Sequence, residues 1–498
     1  QLPTGDETPA TVGFVGAALA VALDGPVEIF GGLGFTNESR IEIRRVSQGV
    51  AMENGKADIV AGKYFIRVND LKGRIVGRFF DGQGRIVGEG SFDLGKMKKS
   101  TAGAWISPAL VIQKTDGYLQ KVASIYQLDS KKKVNSGAVL ELHGGQSSKP
   151  LGADGIAEIP ELAKGSTFLA KAIEPGSYPS QWISGVNDTS EKLVIPGKML
   201  DGFVEYIQDI YKLTLDRKRL TIVFGRAMQS GKPLAGVSVQ LKQTPEVLPI
   251  YFDGFVPNKG LHQTSASGFF AFVNAGEGVN TVVAKTGFRS FGYINVNVEA
   301  GIVGYGALEG GTEEREVGIR SFDAFTGDAQ EIRFGLEHQD QMVDSVGGDY
   351  AMLLKSVDRW GQAIVHPLSD QYMPARYTYS DFQEQIFFPL VDREWLNEVK
   401  GGHRLSDDPD SGTVIGFVSD EDYELFVPTV NGYGPENIAY FDAQGIIVNK
   451  PAAGGGFILF NLASGLHQVV LTKSGEDTLI SRITEVENEN LSVLTYNE

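Results

Sequence analysis

The sequence predicts an all-β fold, a series of tandem antiparallel β-sandwich domains joined by short helical connectors. Three observations predict it. Runs of Val, Ile, Phe and Tyr alternate with polar residues and are bounded by Gly, Asn, Asp and Pro along most of the chain. Glycine supplies 62 of 498 residues, well above the usual ~7%, as many tight turns require. Strand–turn–strand segments recur at distant positions.

In chain order, residues 11–23 (TVGFVGAALAVAL) are the most apolar stretch, and 13 residues are too few to span a bilayer. They read as a buried strand. A sharper reading makes Val12, Phe14, Val15 and Leu19 a donor strand that adds to a neighbouring subunit's sheet edge. Residues 40–46 (RIEIRRV) and 63–68 (KYFIRV) alternate charged and apolar side chains. At 73–80 and 84–92, GRIVGRFF and GRIVGEGSF flank Asp81-Gly82-Gln83, which is a β-hairpin pattern. Helical spacing is confined to two short segments. Phe203, Val204, Ile207, Ile210 and Tyr211 follow Asp201, which the spacing makes a cap. Val391, Trp395 and Val399 are four apart, with Asp392 near the start and Gly401 at the end.

An internal repeat ties distant segments together. Residues 269–287 (FFAFVNAGEGVNTVVAKTG) and 457–475 (FILFNLASGLHQVVLTKSG) align without a gap at a spacing of 188. Phe269/Phe457, Phe272/Phe460, Val282/Val470, Lys285/Lys473 and Gly287/Gly475 are identical. Residues 155–172 are a third cognate and 55–68 a weaker fourth. The unit reads as one antiparallel pair with one face on a core. A second element (an alternating strand, a polar turn containing Gly, another strand) recurs at 220–241, 317–336 and 351–365.

The stretch 225–241 with its SGKPLAGV turn, followed by Ser267-Gly268-Phe269-Phe270-Ala271-Phe272 and TVVAKTGF at 281–288, resembles the carboxypeptidase regulatory-like, or transthyretin-like, β-sandwich. The family's Pro-x-Gly-x-Tyr turn is replaced here by AGEGVN at 275–280. Residues 412–494 resemble a second copy, and 352–365 resemble bacterial immunoglobulin-like repeats more loosely. These are turn-and-core motifs, so the resemblance implies a fold and no chemistry. It implies tandem non-catalytic domains of exported bacterial surface proteins.

Composition breaks divide the chain into a β-sandwich at 12–100, a second at 118–198 and a helical connector at 199–217. A carboxypeptidase regulatory-like domain follows at 218–302, then an atypical immunoglobulin-like domain at 314–400. The acidic linker SDDPDSG leads to a C-terminal regulatory-like domain at 412–498.

Candidate chemistry is sparse. Cysteine is absent, which excludes disulfides, thiolate metal sites and a cysteine nucleophile. The six histidines form no H-x-x-E or H-E-x-x-H spacing, and no G-x-S-x-G elbow occurs. Asp407, Asp408 and Asp410, near Asp420, Glu421 and Asp422, form the densest acidic cluster and are candidate ligands of a structural calcium. A solvated linker is the alternative. Tyr377, Tyr379 and Trp182 are candidate sugar-stacking platforms, against the simpler reading that they belong to the core. A dispersed enzymatic site would draw on Trp360, His366 and His338.

A net charge of −17 disfavours nucleic acid and anionic membranes as partners. The chain opens on Gln1, as a mature chain does after removal of a secretion signal, and no segment reaches transmembrane length. The expectation is an exported protein, extracellular or at the cell surface, with the periplasm as the other compartment. It is a non-enzymatic structural or adhesive protein, a fibre subunit assembling by strand addition or domain packing. Its partners are itself, other surface proteins or glycans. A carbohydrate-binding accessory protein is the alternative, and sandwiches joined end to end would make a rod.

Overall fold

The computed structural model describes strand backbones between 27 and 127 and most residues from 138 to 496. Residues 1–26, the segments 143–155, 186–191, 404–408, 419–425 and 474–478, and shorter gaps lie outside the described residues. The donor-strand candidates Val12, Phe14, Val15 and Leu19 are among them, as are Asp407 and Asp408. The chain divides into two compact units. One is Gln1–Tyr118 with Tyr433–Glu436, and the other is Leu119–Gly432 with Asn437–Glu498. Described strands dominate both, so the fold is all-β.

In the first unit, β1 (Val27–Gly32) is followed by β2 (Arg40–Ser47), β3 (Val50–Asp58), β4 (Lys63–Val68), β5 (Arg74–Phe80) and β6 (Ile86–Asp93). β7 (Lys98–Lys99), β8 (Trp105–Ile106) and β9 (Val111–Gln113) complete it. Five strands make a sheet in the order β3-β2-β5-β6-β9, while β1 pairs with β4 and β7 with β8. The duplicated GRIVG motif forms the expected hairpin, β5 against β6.

The second unit opens with β10 (Leu119–Gln127), β11 (Val139–Leu142), β12 (Ile156–Pro160), β13 (Thr167–Ile173) and β14 (Ser177–Tyr178). β15 (Ser180–Gly185), β16 (Lys192–Pro196) and helix α1 (Gly197–Tyr211) follow. Then come β17 (Ile222–Gln229), β18 (Lys232–Pro233), β19 (Val237–Leu241), β20 (Ile250–Asp253) and β21 (Val256–Pro257). β22 (Phe269–Val273), β23 (Gly278–Thr286), β24 (Arg289–Val298) and β25 (Val303–Glu309) end the first half.

The second half repeats this plan. β26 (Glu314–Asp323), β27 (Ile332–Leu336), β28 (Val343–Asp344), β29 (Asp349–Lys355) and β30 (Trp360–Pro367) come first. β31 (Ala375–Ser380), β32 (Gln385–Leu390) and helix α2 (Arg393–Gly402) follow. β33 (Ser411–Val418), β34 (Phe426–Val430), β35 (Ile438–Phe441) and β36 (Ile447–Val448) lead to β37 (Gly456–Ala463). β38 (Gly465–Lys473), β39 (Leu479–Val486) and β40 (Leu491–Tyr496) close it.

The sheets show that the halves are duplicates. A nine-stranded sheet runs β11-β13-β15-β25-β17-β22-β20-β21, with β18 on β17, and its counterpart runs β28-β27-β30-β31-β40-β33-β37-β35-β36. Smaller sheets face each one: β12-β10-β16-β14 and β19-β23-β24 in the first half, β29-β26-β32 and β34-β38-β39 in the second. Each half therefore holds two sandwiches. Its last strand lies parallel between them: β25 between β15 and β17, β40 between β31 and β33. Within the second unit the sandwiches are joined sideways through shared sheets, not end to end as the sequence suggested. Strand β25 lies beyond residue 302, the expected end of its domain.

The recurring sequence unit also differs from expectation. β22 and β23 do not pair, because β22 belongs to the large sheet and β23 to the small one. The same holds for β37 and β38, β12 and β13, and β3 and β4. The repeat is thus a corner that carries the chain from one sheet to the facing sheet. The gapless spacing of 188 is off by one. Phe270 lies opposite Gly225 and Phe457 opposite Gly416, a spacing of 187. Asn274 and Asn461, also 187 apart, both turn the corner at positive φ (62 and 54). A one-residue slip exchanges the two faces of a strand. Phe269 accordingly packs under α1, while Phe457 sits in the sandwich core. Every residue of β22 is buried, so no polar face marks its register.

Helix α1 starts four residues before the expected cap. Its N-cap is Pro196, with no side-chain cap, because β16 runs directly into the helix, and Asp201 lies inside it. Helix α2 follows expectation, with Asp392 capping the Trp395 N–H at 3.0 Å. Each helix covers the outer face of the large sheet next to its own sandwich pair.

Candidate functional site

The four sandwiches of the second unit meet at one joint. Its apolar centre is Leu169 and Ile183 from the first sandwich, Val279 from the second, Trp360 from the third, and Leu466 and Ile483 from the fourth. Polar side chains fix the register of this contact. Trp360 Nε1 donates to the Ile483 carbonyl at 3.1 Å. Thr167 Oγ1 accepts from the Ile483 N–H at 3.2 Å, and Ser166 Oγ from the Ser481 N–H at 3.1 Å. Ser481 Oγ donates to the Thr167 carbonyl at 2.8 Å. Asn295 Nδ2 donates to the Trp360 carbonyl at 3.1 Å. Bonds between residues some 300 positions apart exist only because β13 and β39 lie side by side.

Beside this centre, Arg376 of β31 gathers three carboxylates. Its Nη1 bonds Glu485 at 2.6 Å, Gln362 Oε1 at 2.7 Å and Glu337 at 3.3 Å, and its Nη2 bonds Glu487. Only 11% of the Arg376 side chain is exposed. Lys242 from the second sandwich donates to the Glu337 carbonyl. Burial pushes the Glu485 carboxyl up to about 7. The Arg376 guanidinium opposes this, while Glu337 and Glu487 reinforce it. Burial also raises Glu337, against the pull of Arg376. Next to the cluster, the His338 ring stacks on Tyr293 at 3.7 Å, and the Tyr293 hydroxyl meets that of Tyr379 at 3.1 Å. The arrangement holds the surfaces of the sandwiches together.

The sequence-predicted residues fall elsewhere. Tyr377, Tyr379 and Trp182 are 1–3% exposed, so none offers a face to a sugar, and the platform reading is corrected. Tyr377 lies in the third-sandwich core and donates to the Pro389 carbonyl at 2.7 Å, and Trp182 fills the first core. Asp410 is exposed at the turn before β33. Among the described residues, no three His, Asp or Glu side chains are placed to hold a metal ion. Trp360 is spent on the joint, His338 on its stack with Tyr293, and His366 is exposed on β30, so these three assemble no common site.

The joint has no local motif. Its members at 242, 337, 376 and 485 are brought together by the duplicated fold alone. The one sequence signal is Arg376 itself, a charged residue set between Ala375 and Tyr377 in an aromatic-rich segment.

No family model matches the chain, and no curated protein matches it. Solved structures similar in part include the Bacillus anthracis TIE protein, with a TM-score of 0.15 and 10% identity over 99% of this chain and 75% of that one. A streptococcal ancillary pilin has a TM-score of 0.18 and 11% identity over 55% of this chain and 99% of that one. BcpA, the major pilin subunit of Bacillus cereus, has a TM-score of 0.12 and 10% identity over 56% and 98%. Superposition at these scores is loose, and the sandwich assignment rests on the sheets themselves. No helix among the described residues is long and apolar enough to cross a membrane.

Proposed function

We propose that this chain is a non-enzymatic structural or adhesive protein of the bacterial cell surface, a subunit that transmits force along a fibre or stalk. One observation carries the reading: β25 and β40 each run parallel between two sandwiches. A pull along β40 loads its ladders to β31 and β33 in shear. All the hydrogen bonds then resist together instead of opening one at a time. The shared joint spreads that load over four sandwiches. Buried polar groups are used to hold register between sandwiches, a role suited to a mechanical part.

Assembly would use itself or other surface proteins as partners. The outer strands of the large sheets are short (two residues each in β21, β28 and β36, four in β11), which blunts those edges against pairing. Longer edges remain on the small sheets, such as β29 with seven residues. The segment bearing Val12, Phe14, Val15 and Leu19 is the candidate donor strand, and Asp407, Asp408 and Asp410 remain candidate calcium ligands at the linker before β33. Negative-stain electron microscopy at two concentrations, with and without calcium, tests this reading. Ordered polymers that disappear when residues 11–23 are deleted are expected. A chain that stays monomeric and binds no surface component overturns it.

A further inference from the structure

The duplication places a histidine in the fourth sandwich where the second sandwich has an amide. At the 187-residue spacing, Asn280 of β23 matches His467 of β38, and both are 1% exposed. The two side chains make the same bond at the corner. Asn280 Nδ2 donates to the Gly276 carbonyl at 2.7 Å, and His467 Nε2 donates to the Ala463 carbonyl at 2.7 Å. An amide is therefore enough to hold the corner, and a titratable ring at this place needs a separate account.

The second ring nitrogen supplies it. His467 Nδ1 lies 3.0 Å from Asn431 Nδ2. Asn431 cannot turn its oxygen to the ring, because its Oδ1 accepts the Gln468 N–H at 2.8 Å. The Asn431 N–H in turn donates to the Gln468 carbonyl at 2.8 Å. A backbone carbonyl only accepts and a backbone N–H only donates, so the network fixes the tautomer: Nε2 carries the hydrogen and Nδ1 accepts. A proton added at Nδ1 would set N–H against N–H. The first half has no such coupling. There Gln243 Oε1 accepts the Thr281 N–H at 2.8 Å, but its Nε2 turns to Thr281 Oγ1 at 3.1 Å, and Asn280 Nδ2 also reaches the Gly278 carbonyl at 3.3 Å.

Gln468 connects this network to the joint. Its Oε1 accepts the Leu169 N–H of the first sandwich at 3.2 Å, and Leu169 and Leu466 share the apolar centre. On β39, Thr484 stands opposite His467, while Arg482 on the same face lies over the Tyr496 ring. Glu485 and Glu487 turn to Arg376. Strand β34 (FVPTV) carries no charged residue, and Val414, Leu459, Val469 and Leu494 belong to the apolar core of this sandwich.

We propose that His467 is an acid-sensitive latch: its protonation displaces Asn431, frees Gln468 and loosens the contact between the first and fourth sandwiches. The Glu485 carboxyl takes up its own proton in the folded chain over a similar range and opposes a global loss of stability, so the readout is local. The test follows amide exchange of the full chain by mass spectrometry at pH 7.5 and pH 5, corrected for intrinsic rates. Peptides covering Leu169 and Gln468 should lose protection roughly tenfold at pH 5, one proton being taken up per opening. The peptide covering Asn280 should keep its protection. His467→Asn restores the amide that the duplicate uses and should make protection around Leu169 the same at both pH values. His467→Gln gives the same comparison should His467→Asn not fold. In the unmutated chain labelled with 15N-histidine, the His467 ring should carry hydrogen on Nε2 and a bare Nδ1 at pH 7.5. A ring with hydrogen on Nδ1 at that pH overturns the proposal. So does protection around Leu169 that is unchanged at pH 5, or that falls equally in His467→Asn.

Discussion

Arg376 Nη1 lies 2.6 Å from Glu485 Oε2, tying β31 of the third sandwich to β39 of the fourth. The pair is largely buried and shared with Glu337 and Glu487, so the two partners do not cost the same to remove. Arg376→Leu leaves buried carboxylates without their cation and should destabilise the second unit by about 3–5 kcal/mol. Glu485→Gln keeps the shape, removes like-charge repulsion, and should be near neutral or stabilising at pH 7.5. Urea denaturation of both variants checks the asymmetry.

The same cluster gives a pH dependence of definite sign. Glu485 titrates at about 7 in the folded protein against an ordinary 4.5. Between these values the folded state holds a proton that the unfolded state has released. Its contribution is complete below 4.5 and is lost as pH rises through 7, with a slope of up to about 1.4 kcal/mol per pH unit. Lys192, wholly buried on β16, is lowered by desolvation to about 7 from 10.5. Here the unfolded state holds the extra proton between 7 and 10.5, so stability rises over that window. The two groups together put a stability minimum near pH 7. Denaturation midpoints from pH 4.5 to 10 should show it, and Glu485→Gln should flatten the acid limb alone.

Gly225 and Gly416 stand under the rings of Phe270 and Phe457, where an added Cβ would lie 2.2 Å from each ring's Cζ. Those rings are fully packed in their cores and cannot swing aside. Gly225→Ala and Gly416→Ala should each cost about 1–3 kcal/mol through overpacking. Phe270→Leu combined with Gly225→Ala should recover part of the loss in a double-mutant cycle. Equal costs at the two sites would follow from the duplication, and an unaffected melting temperature in either variant would contradict it.

Legibility in the sequence followed the pattern of burial. The hairpin of β5 and β6 was readable because a repeated motif brackets a short Asp-Gly turn. Helix α2 was readable because Asp392 and Gly401 mark its ends. The duplication was half visible: the Phe-rich corner segments stood out, but β22 is buried on both faces, so the aligned phenylalanines pointed opposite ways. Strand pairing was misread for the same reason. A corner between sheets and a hairpin share the order strand, small-residue turn, strand, and only the partners across the sandwich distinguish them. Tyr377 and Tyr379 looked like a binding platform because strand-spaced aromatics carry no sign of which side a second sheet will cover. The joint was invisible because its residues come from four sandwiches and no two functional partners are neighbours in sequence.

Strand β40 supplies the mechanical test. Val493 pairs with Tyr377 on one side and Ile415 on the other, and both ladders are parallel. Pulling from the C-terminal end should therefore shear two ladders at once, and single-molecule force spectroscopy should record a high unfolding force for the second unit. Val493→Pro deletes the central N–H of that strand and cannot join a ladder in a sheet interior. It should lower the force markedly, whereas proline at the exposed two-residue edge strand β36, for example Ile447→Pro, should leave it nearly unchanged. If both variants unfold at the same force, β40 is not the element that bears the pull, and the resistance must be assigned to the joint around Trp360 and Arg376.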